Sequence, residues 1–493
     1  MKALTVLLLT FFILLASKKG LTYSKPRVTF PLRYVDHSIN IRSSMSEEIS
    51  LPTGKCEDMR DRDLSLNLPG VAPRSLYPGF IDSYRVSCLS IPDSFIDDVA
   101  VGSFDCLPNL LYLDMSRNRI EFCDFLAFGG HDKLRSLVLD ENNSPGHEAN
   151  LILSRIDYFP RLEHLYLRKN QLEDITTSLR QCFPSLTHLY LSDNRLEGRT
   201  FDYLELPYTL THLHLERNWI RRLDSRGLIN LSSLFLDGNR IQSICHWQCH
   251  GTAYLNLRGT NRLQFLSVSR NEIAYIECDS FEDSRYLKSL NLAHNRIDTI
   301  SPGTFDVLQE LRDLSLSYNR LTSLPDFRSV RMLTSLSLDH NLLHSVPSGI
   351  FCNLHHLKWL SLGGNRIRNI DVNAFVDLPS LEELDLSNNE LSYLPSGWID
   401  SNTCLQHLDI RGNHFSSIES LSIHNVRSLT HLYLQGNPLS HLDTPAYWRL
   451  SYNVSVYLDY TSSVYREPCY VRCDRMHREY VIPRLTFGDE WTW

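Results

Sequence analysis

A short apolar string repeats through most of this chain, and it constrains the fold more than any other feature. The string is Leu-x-x-Leu-x-Leu-x-x-Asn-x-Leu, seen for example over 287–297, where isoleucine takes the last place. Its asparagines run from Asn118 to Asn437, which is 319 residues in 13 intervals and a mean spacing of about 24.5. A period of this length is typical of a solenoid in which each repeat adds one coil. The 493 residues therefore indicate one elongated repeat domain, not the roughly three compact domains that length alone would suggest.

The leucine spacing predicts a short strand in every repeat. Alternate side chains of a strand point to opposite faces, so the leucines of Leu-x-Leu point inward and their neighbours point outward. One repeat cannot bury its leucines alone, whereas stacked repeats share an apolar core and a parallel sheet. The asparagine follows the strand where the chain turns inward, and we expect its amide to bond the backbone groups that this turn leaves unpaired. The repeat asparagines are Asn118, Asn142, Asn170, Asn194, Asn218, Asn239, Asn271, Asn295, Asn319, Asn341, Asn365, Asn389, Asn413 and Asn437.

A second pattern follows each asparagine, such as Ile-x-x-Ile-x-Pro-Gly-x-Phe-x-x-Leu over 297–308, and completes the coil. Over about residues 56–468 the two patterns resemble the extracellular leucine-rich repeat family with repeats of about 24 residues. The resemblance implies an α/β solenoid, a horseshoe with a parallel concave sheet, about 14 to 15 repeats, a cysteine-containing N-terminal cap and a divergent C-terminal cap. The chain also resembles Toll-like receptor ectodomains and secreted arthropod leucine-rich immune proteins without a coiled coil.

The repeats and their ends divide the chain into segments. These are a signal peptide (1–23), an extended N-terminal segment (24–55), an N-terminal cap with a degenerate first repeat (56–109), the leucine-rich repeats (110–439), a C-terminal cap (440–473) and a tail (474–493).

The signal peptide is predicted from a basic start and an apolar or threonine-containing run of 14 residues, 3–16. This run is shorter than the ~20 residues that span a bilayer. We therefore expect a secreted, extracellular protein without membrane insertion. Lys and Arg number 49 against 57 Asp and Glu, a net charge of −8, so we expect no nucleic-acid partner.

The chain has twelve cysteines, an even number that favours disulfides in an oxidising compartment. Candidates for disulfides are Cys56, Cys88, Cys106 and Cys123 at the N-terminal cap, Cys245, Cys249 and Cys278 around a long repeat, and Cys469 and Cys473 near the C-terminus. Their pairing stays open, and Cys182, Cys352 and Cys404 have no obvious partners.

Two repeats are stretched, to 28 residues between Asn142 and Asn170 and to 32 between Asn239 and Asn271. Insertions in solenoids usually emerge as loops on one face, often a binding face. The second contains Cys-x3-Cys followed by His250, but without a second ligand pair we expect a disulfide-pinned loop and no metal.

Three sequons mark possible N-glycosylation sites. They begin at Asn142, Asn230 and Asn453. Because Asn142 is a repeat asparagine with a structural role, we expect glycans on Asn230 and Asn453.

The repeat also identifies the outward strand positions, where partner binding is expected. The first candidate group is His164, Tyr166, His188, Tyr190, His212, His214, Phe235 and Phe265. The second is Trp359, Glu383, Asp385, His407, Asp409 and Tyr433. Neighbouring strands lie about 4.8 Å apart, so such side chains form ladders, and clustered aromatic residues are typical of interaction sites.

Other interpretations of the first group remain open. Stacked tyrosine and histidine could simply stabilise the sheet, because both suit strands. His212 and His214 could bind a metal, or the histidines could act as a switch on protonation below about pH 6.5.

The chain has no Gly-x-Ser-x-Gly, His-Glu-x-x-His or phosphate-binding glycine loop, and a regular sheet does not by itself form a catalytic pocket. We therefore expect no enzyme and no cofactor. The favoured function is a secreted recognition protein whose concave sheet binds a protein or glycan, and the family resemblance suggests innate immunity. The alternatives are an extracellular matrix or cell-guidance protein and a soluble homodimeric scaffold.

Overall fold

In a computed structural model of the chain, the structure describes residues 64–70, 73–120, 126–142, 152–153, 155–224, 228–247, 249–423, 425–439, 450, 454–458 and 485–487. All of these belong to one compact unit. Several predicted features lie outside the described residues, namely the signal peptide, the segment 24–55, Cys56, Cys123, Asn453, Cys469, Cys473 and most of the C-terminal cap and tail.

Within the described residues, one parallel sheet of 18 strands follows the chain order. Its strands are Leu64–Asn67, Val86–Ser90, Tyr112–Asp114, Ser136–Val138, His164–Tyr166, His188–Tyr190, His212–His214, Ser233–Phe235, Phe265–Ser267, Ser289–Asn291, Asp313–Ser315, Ser335–Ser337, Trp359–Ser361, Glu383–Asp385, His407–Asp409, His431–Tyr433, Ser455–Leu458 and Leu485–Phe487. Each strand pairs with the next in the chain, so the predicted solenoid with a parallel sheet is confirmed.

The central leucines of neighbouring strands align across the sheet. Leu189 is opposite Leu213, which is opposite Leu234, and all three are fully buried. They belong to one continuous apolar core that runs through the described coils. The predicted inward orientation of the Leu-x-Leu leucines is therefore confirmed.

The asparagines form the predicted hydrogen-bonded ladder beneath the sheet. Asn295 Nδ2 donates to the carbonyls of Val268 and Leu292, both at 3.0 Å, and its Oδ1 accepts the Ile273 N–H at 3.0 Å. Asn142 is fully buried, and its Nδ2 donates to the carbonyls of two residues, Met115 and Leu139. Its amide nitrogen thus has the structural role expected from the sequence.

The residue before each asparagine allows this turn. His294, for example, has a φ of 55°, in the left-handed region, and its N–H donates to the Ser317 carbonyl at 2.8 Å. This conformation turns the chain away from the strand and places the asparagine in the core.

The return half of each coil is built mainly from turns. Among the described residues, helix is limited to Leu179–Cys182, Thr200–Tyr203 and the 3-10 turn Glu419–Leu421. Short side strands pair in parallel: Ser75–Leu76 with Asp98–Val99, Ile152–Leu153 with Asp174–Ile175, Ser345–Val346 with Asn369–Ile370, and Ser243–Cys245 with both Tyr254–Asn256 and Tyr275–Ile276. A repeat of about 24 residues leaves too few residues for long return helices. No helix in the described part of the chain has the length and apolar character needed to cross a membrane.

A row of buried phenylalanines packs beneath these turns. Phe351 is fully buried between Phe327 and Phe375, with ring centroids 6.2 and 5.9 Å away. Phe327, Phe351 and Phe375 thus form a spine that joins three consecutive coils.

Candidate functional site

Seven of the eight residues in the first predicted group form one continuous surface on the sheet, which we call the aromatic patch. Its members are His164, Tyr166, His188, Tyr190, His212, His214 and Phe235. They occupy the first and third positions of four consecutive strands, whose register places equivalent residues directly opposite one another.

The first strand positions carry a histidine ladder. The rings of His164 and His188 lie 4.4 Å apart, and those of His188 and His212 lie 4.1 Å apart and nearly parallel. The hydroxyls of Thr187 and Thr211 each hydrogen bond, at 2.8 Å, to Nδ1 of the histidine that follows. The threonines therefore hold the imidazole rings upright in the ladder.

The third strand positions carry a longer stack. Tyr166 and Tyr190 are 4.2 Å apart, Tyr190 and His214 are 4.5 Å apart, and His214 and Phe235 are 4.4 Å apart. Because each ring covers its neighbour, Tyr190 is only 3% exposed and Phe235 8%. The patch therefore presents ring edges, not open ring faces, to solvent.

Phe265, the eighth residue of the group, does not extend either ladder. It lies opposite Ser233 in the sheet, and Ser267 lies opposite Phe235. No ring contact of Phe265 occurs among the described residues. Phe265 therefore lies outside the patch, because Ser233 ends the histidine ladder after His212 and Ser267 ends the other stack after Phe235.

A third column of outward side chains borders the patch, and the sequence analysis missed it. Arg168 follows the strand that contains Tyr166; its guanidinium bonds the Asp140 carboxylate at 2.6 Å and lies 5.4 Å from the Tyr166 ring centre. Burial raises the pKa of the Asp140 carboxyl, although the bonds from Arg168 oppose that rise. This column could be found from the sequence, because the residue after the second strand leucine recurs at the same spacing.

The other end of the patch has a half-buried acid. Glu216 Oε1 lies 3.1 Å from His214 Nδ1, and the Ser192 hydroxyl also bonds this carboxylate. Burial alone would raise the pKa of Glu216, but the hydrogen bonds from His214 and Ser192 outweigh it and leave the pKa below its usual value. An anionic Glu216 thus fixes the orientation of the His214 ring within the stack.

The histidine ladder resists protonation. Burial, with the neighbouring histidines, lowers the pKa of His188 to about 3 and that of His212 to about 4. Burial also lowers the pKa of His164. These lowered pKa values disfavour the sequence-based hypothesis of a protonation switch below about pH 6.5 for the three ladder histidines.

The second predicted group lies further along the same sheet. Trp359, Glu383 and His407 occupy successive first positions, and Asp385 and Asp409 are opposite each other at third positions. This group therefore combines acidic side chains with aromatic rings and a histidine.

An ion pair dominates its acidic part. The Arg411 guanidinium bonds both oxygens of Asp409 at 2.9 Å and lies 5.6 Å from the Tyr433 ring centre. Burial raises the pKa of Asp409, against the effect of Arg411. Two further rings extend this group, since His431 stacks on His407 at 4.4 Å and Tyr457 stacks on Tyr433 at 4.5 Å.

The disulfide predictions had mixed outcomes. Cys245 and Cys249 are bonded, with Cα atoms 5.4 Å apart, and Cys88 is also disulfide-bonded. Cys106 and Cys278 are free thiols, so their prediction as disulfide residues is wrong. Cys278 does not take part in the disulfide of this loop, because Cys245 pairs with Cys249.

Three more cysteines in the described residues are free, as their lack of partners in the sequence suggested. They are Cys182, Cys352 and Cys404. Asn230, the described glycosylation candidate, is half-buried.

Family models match most of the repeat region. The leucine-rich repeat model matches residues 85–143, 261–321, 331–391 and 383–439, and a two-copy leucine-rich repeat model matches 160–202. Together they cover more than half of the chain. No curated protein matches the sequence.

Three solved structures illustrate the similarity of fold. A leucine-rich repeat protein of Leptospira interrogans is 22% identical, over 80% of this chain and 94% of that chain, with a TM-score of 0.56. Toll in the Drosophila Toll–Spatzle complex is 22% identical, over 76% and 54% of the two chains, with a TM-score of 0.57. The plant peptide hormone receptor RGFR1 in complex with RGF2 is 19% identical, over 82% and 66%, with a TM-score of 0.50. At these identities the similarity shows the fold, and with the family matches it establishes that this chain belongs to the leucine-rich repeat family.

Proposed function

We propose that this protein is a secreted, non-enzymatic recognition protein that binds an extracellular protein through the aromatic patch of its concave sheet. The observation that carries the proposal is the continuous stack from Tyr166 to Phe235, with Arg168 and Glu216 at its border. A flat aromatic centre with a charged border is typical of protein interfaces, in which aromatic residues and arginine are enriched.

The geometry favours a protein partner over a glycan. Sugar rings stack on open aromatic faces, whereas the faces of Tyr166 and Tyr190 cover one another. Ring edges and half-buried histidines instead offer apolar contact together with hydrogen-bonding atoms.

We propose no catalytic role for the patch, for a physical reason. A nucleophile, an oriented base and an oxyanion site must converge where water is excluded. The patch histidines lie in a regular ladder on an open sheet, and their lowered pKa values make them weak bases at neutral pH.

Innate immunity is the proposed setting, supported by the resemblance to soluble arthropod leucine-rich immune proteins. Induction of the transcript by microbial challenge would support this setting. Constitutive deposition in matrix would support the alternative of a matrix or guidance protein.

The test is affinity capture from native extracellular fluid, followed by mass spectrometry and binding of the purified partner. We expect the combined replacement of Tyr166, Tyr190 and Phe235 by serine to abolish binding. A matched control replaces three exposed tyrosines that lie outside the concave strands, Tyr77, Tyr286 and Tyr393, by serine.

Because buried rings contribute to stability, a milder variant is also needed. Replacing the half-buried His164, His188 and His212 by alanine removes one ladder and leaves the tyrosine stack in place. A thermal melt identifies variants that remain folded. Unchanged binding by both folded variants would refute the proposal, and a captured second copy of this chain would instead indicate the homodimeric scaffold.

A further inference from the structure

A cluster of potential metal ligands lies in the stretched repeat, away from the concave strands. His246 directly follows the side strand Ser243–Cys245, and Asp279 and Glu282 lie in the turn after Tyr275–Ile276. These two strands pair in parallel, so their C-terminal ends meet at one edge of the side sheet. The insertion and the following coil therefore contribute ligands to the same place.

Both segments are held firmly. The Cys245–Cys249 disulfide closes the loop that carries His246. On the other side, the Ser280 hydroxyl donates to the Ile244 carbonyl at 2.8 Å and anchors the turn to the side strand. The cluster thus rests on a supported framework.

His246 has one nitrogen bonded and one unpartnered. Its side chain is 3% exposed, and Nε2 lies 2.8 Å from Asp283 Oδ2. Because a carboxylate can only accept, we assign the Nε2 proton to this bond. The same Asp283 oxygen accepts the Gly259 N–H at 2.7 Å, which fixes the carboxylate in turn.

Nδ1 of His246 is buried without a hydrogen-bond partner. It lies 3.7 Å from Glu282 Oε2. The ligand atoms of His246, Asp279 and Glu282 all lie within 4.8 Å of one another. An unpartnered buried nitrogen is unfavourable in itself, and a cation between these atoms would satisfy it.

The donor set identifies the class of ion. One imidazole nitrogen and two carboxylate oxygens suit zinc, which takes three protein ligands and leaves a fourth position for water. Calcium and magnesium prefer oxygen ligands throughout. A carboxylate on the far nitrogen of a metal-binding histidine, as Asp283 provides for His246, is the usual outer-shell partner in zinc sites.

We propose that His246, through Nδ1, and the carboxylates of Asp279 and Glu282 bind one zinc ion, with Asp283 as the positioning residue. The Glu282 side chain is half-exposed, so the ion has access from solvent. His250, which the sequence analysis weighed as a ligand beside the cysteines, is not part of this group.

The test uses the full secreted chain, without an affinity tag and stripped of metal by a chelator. Zinc chloride is titrated at neutral pH by calorimetry, with stoichiometry measured by elemental analysis. We expect one zinc per chain, a rise in Tm with zinc, and a loss of affinity of about 10-fold or more in Glu282→Gln and Asp279→Asn. Neither calcium nor magnesium should compete at equal concentration.

Asp306→Asn is the matched control, because Asp306 occupies the position of Glu282 one coil later without a histidine beside it. Its zinc affinity should equal that of the wild type. The absence of zinc binding would overturn the proposal and leave His246 as a hydrogen-bond partner of Asp283 only. Equal affinity in Glu282→Gln and Asp279→Asn would also overturn it, because zinc would then bind elsewhere, such as the concave histidines.

Discussion

Tyr166 and Tyr190 stack on adjacent strands with their ring centres 4.2 Å apart and their planes 2° from parallel. Aromatic pairs left to themselves prefer offset or edge-to-face arrangements. Here the in-register pairing of the two strands places the side chains directly opposite each other. The backbone spacing therefore imposes the stack, and the rings gain mainly by excluding water from one another.

Stacking should appear as coupling in a double-mutant cycle. We expect Tyr166→Ala and Tyr190→Ala to be non-additive, with a coupling of about 0.5–1.5 kcal/mol in the free energy of unfolding. Urea unfolding of the two single variants and the double variant measures it. Tyr166 and Tyr433, which lie on distant strands, form the control pair and should be additive. Additivity of the stacked pair would contradict a stabilising contact.

The sequence predicts most of this architecture because one repeat determines both faces of each strand. Nearly every coil repeats two inward leucines and one asparagine. The side chain of this asparagine bonds three backbone groups, as Asn295 illustrates. The outward positions follow from the same alternation, which is why the ladders of His188 and Tyr190 could be named before the structure was known.

Other features depend on distances that the repeat does not determine. Arg168 and Glu216 hold the recurring position after the second strand leucine, but their bonds to Asp140 and His214 depend on side-chain geometry. Cysteine spacing likewise carries no information on separation in space, and Cys278 is free although it belongs to the same stretched region as Cys245. The pairing of His246 with a distant turn depends on the side sheet, which no pattern predicted.

The asparagine ladder should contribute strongly to stability. Asn295→Ala would leave the buried Ile273 N–H without a partner. It would also remove one of the two amide bonds that each of the Val268 and Leu292 carbonyls accepts. An unsatisfied buried group costs about 1–3 kcal/mol, so we expect a clear loss of unfolding free energy in a urea melt. Asn373→Ala is the control, because this asparagine is exposed in a return turn and should have little effect. Equal stability of the two variants would show that water replaces the amide.

The histidine ladder should make the fold sensitive to acid. Unfolded histidines gain protons near pH 6.5, whereas His188 and His212 in the native chain do so only near pH 3 and 4. Between these limits the unfolded state binds more protons, so the free energy of unfolding falls as the pH falls from about 7 to about 4. Above about pH 7 these two histidines are neutral in both states, so they no longer make the free energy of unfolding depend on pH.

Replacing His188 and His212 by asparagine should therefore flatten the decline of Tm between pH 7 and 4, as followed by circular dichroism. The control variant replaces the exposed His344 and His356 by asparagine and should decline as the wild type does. Carboxyl groups also destabilise the chain in acid, but they are the same in all three proteins. Parallel curves for all three would mean that the two ladder histidines titrate normally.

The phenylalanine spine should couple neighbouring coils. Phe351→Ala removes a fully buried ring that contacts Phe327 and Phe375 and leaves a cavity between three coils. We expect a loss of about 3–5 kcal/mol in the free energy of unfolding, from the lost burial and the cavity together. Val376→Ala, at a 45% exposed position beside Phe375, is the control and should change stability little. Each coil gains its core only from its neighbours. Hydrogen exchange in Phe351→Ala should therefore rise first in the adjacent strands Ser335–Ser337 and Trp359–Ser361. A uniform rise along the sheet would contradict this local coupling.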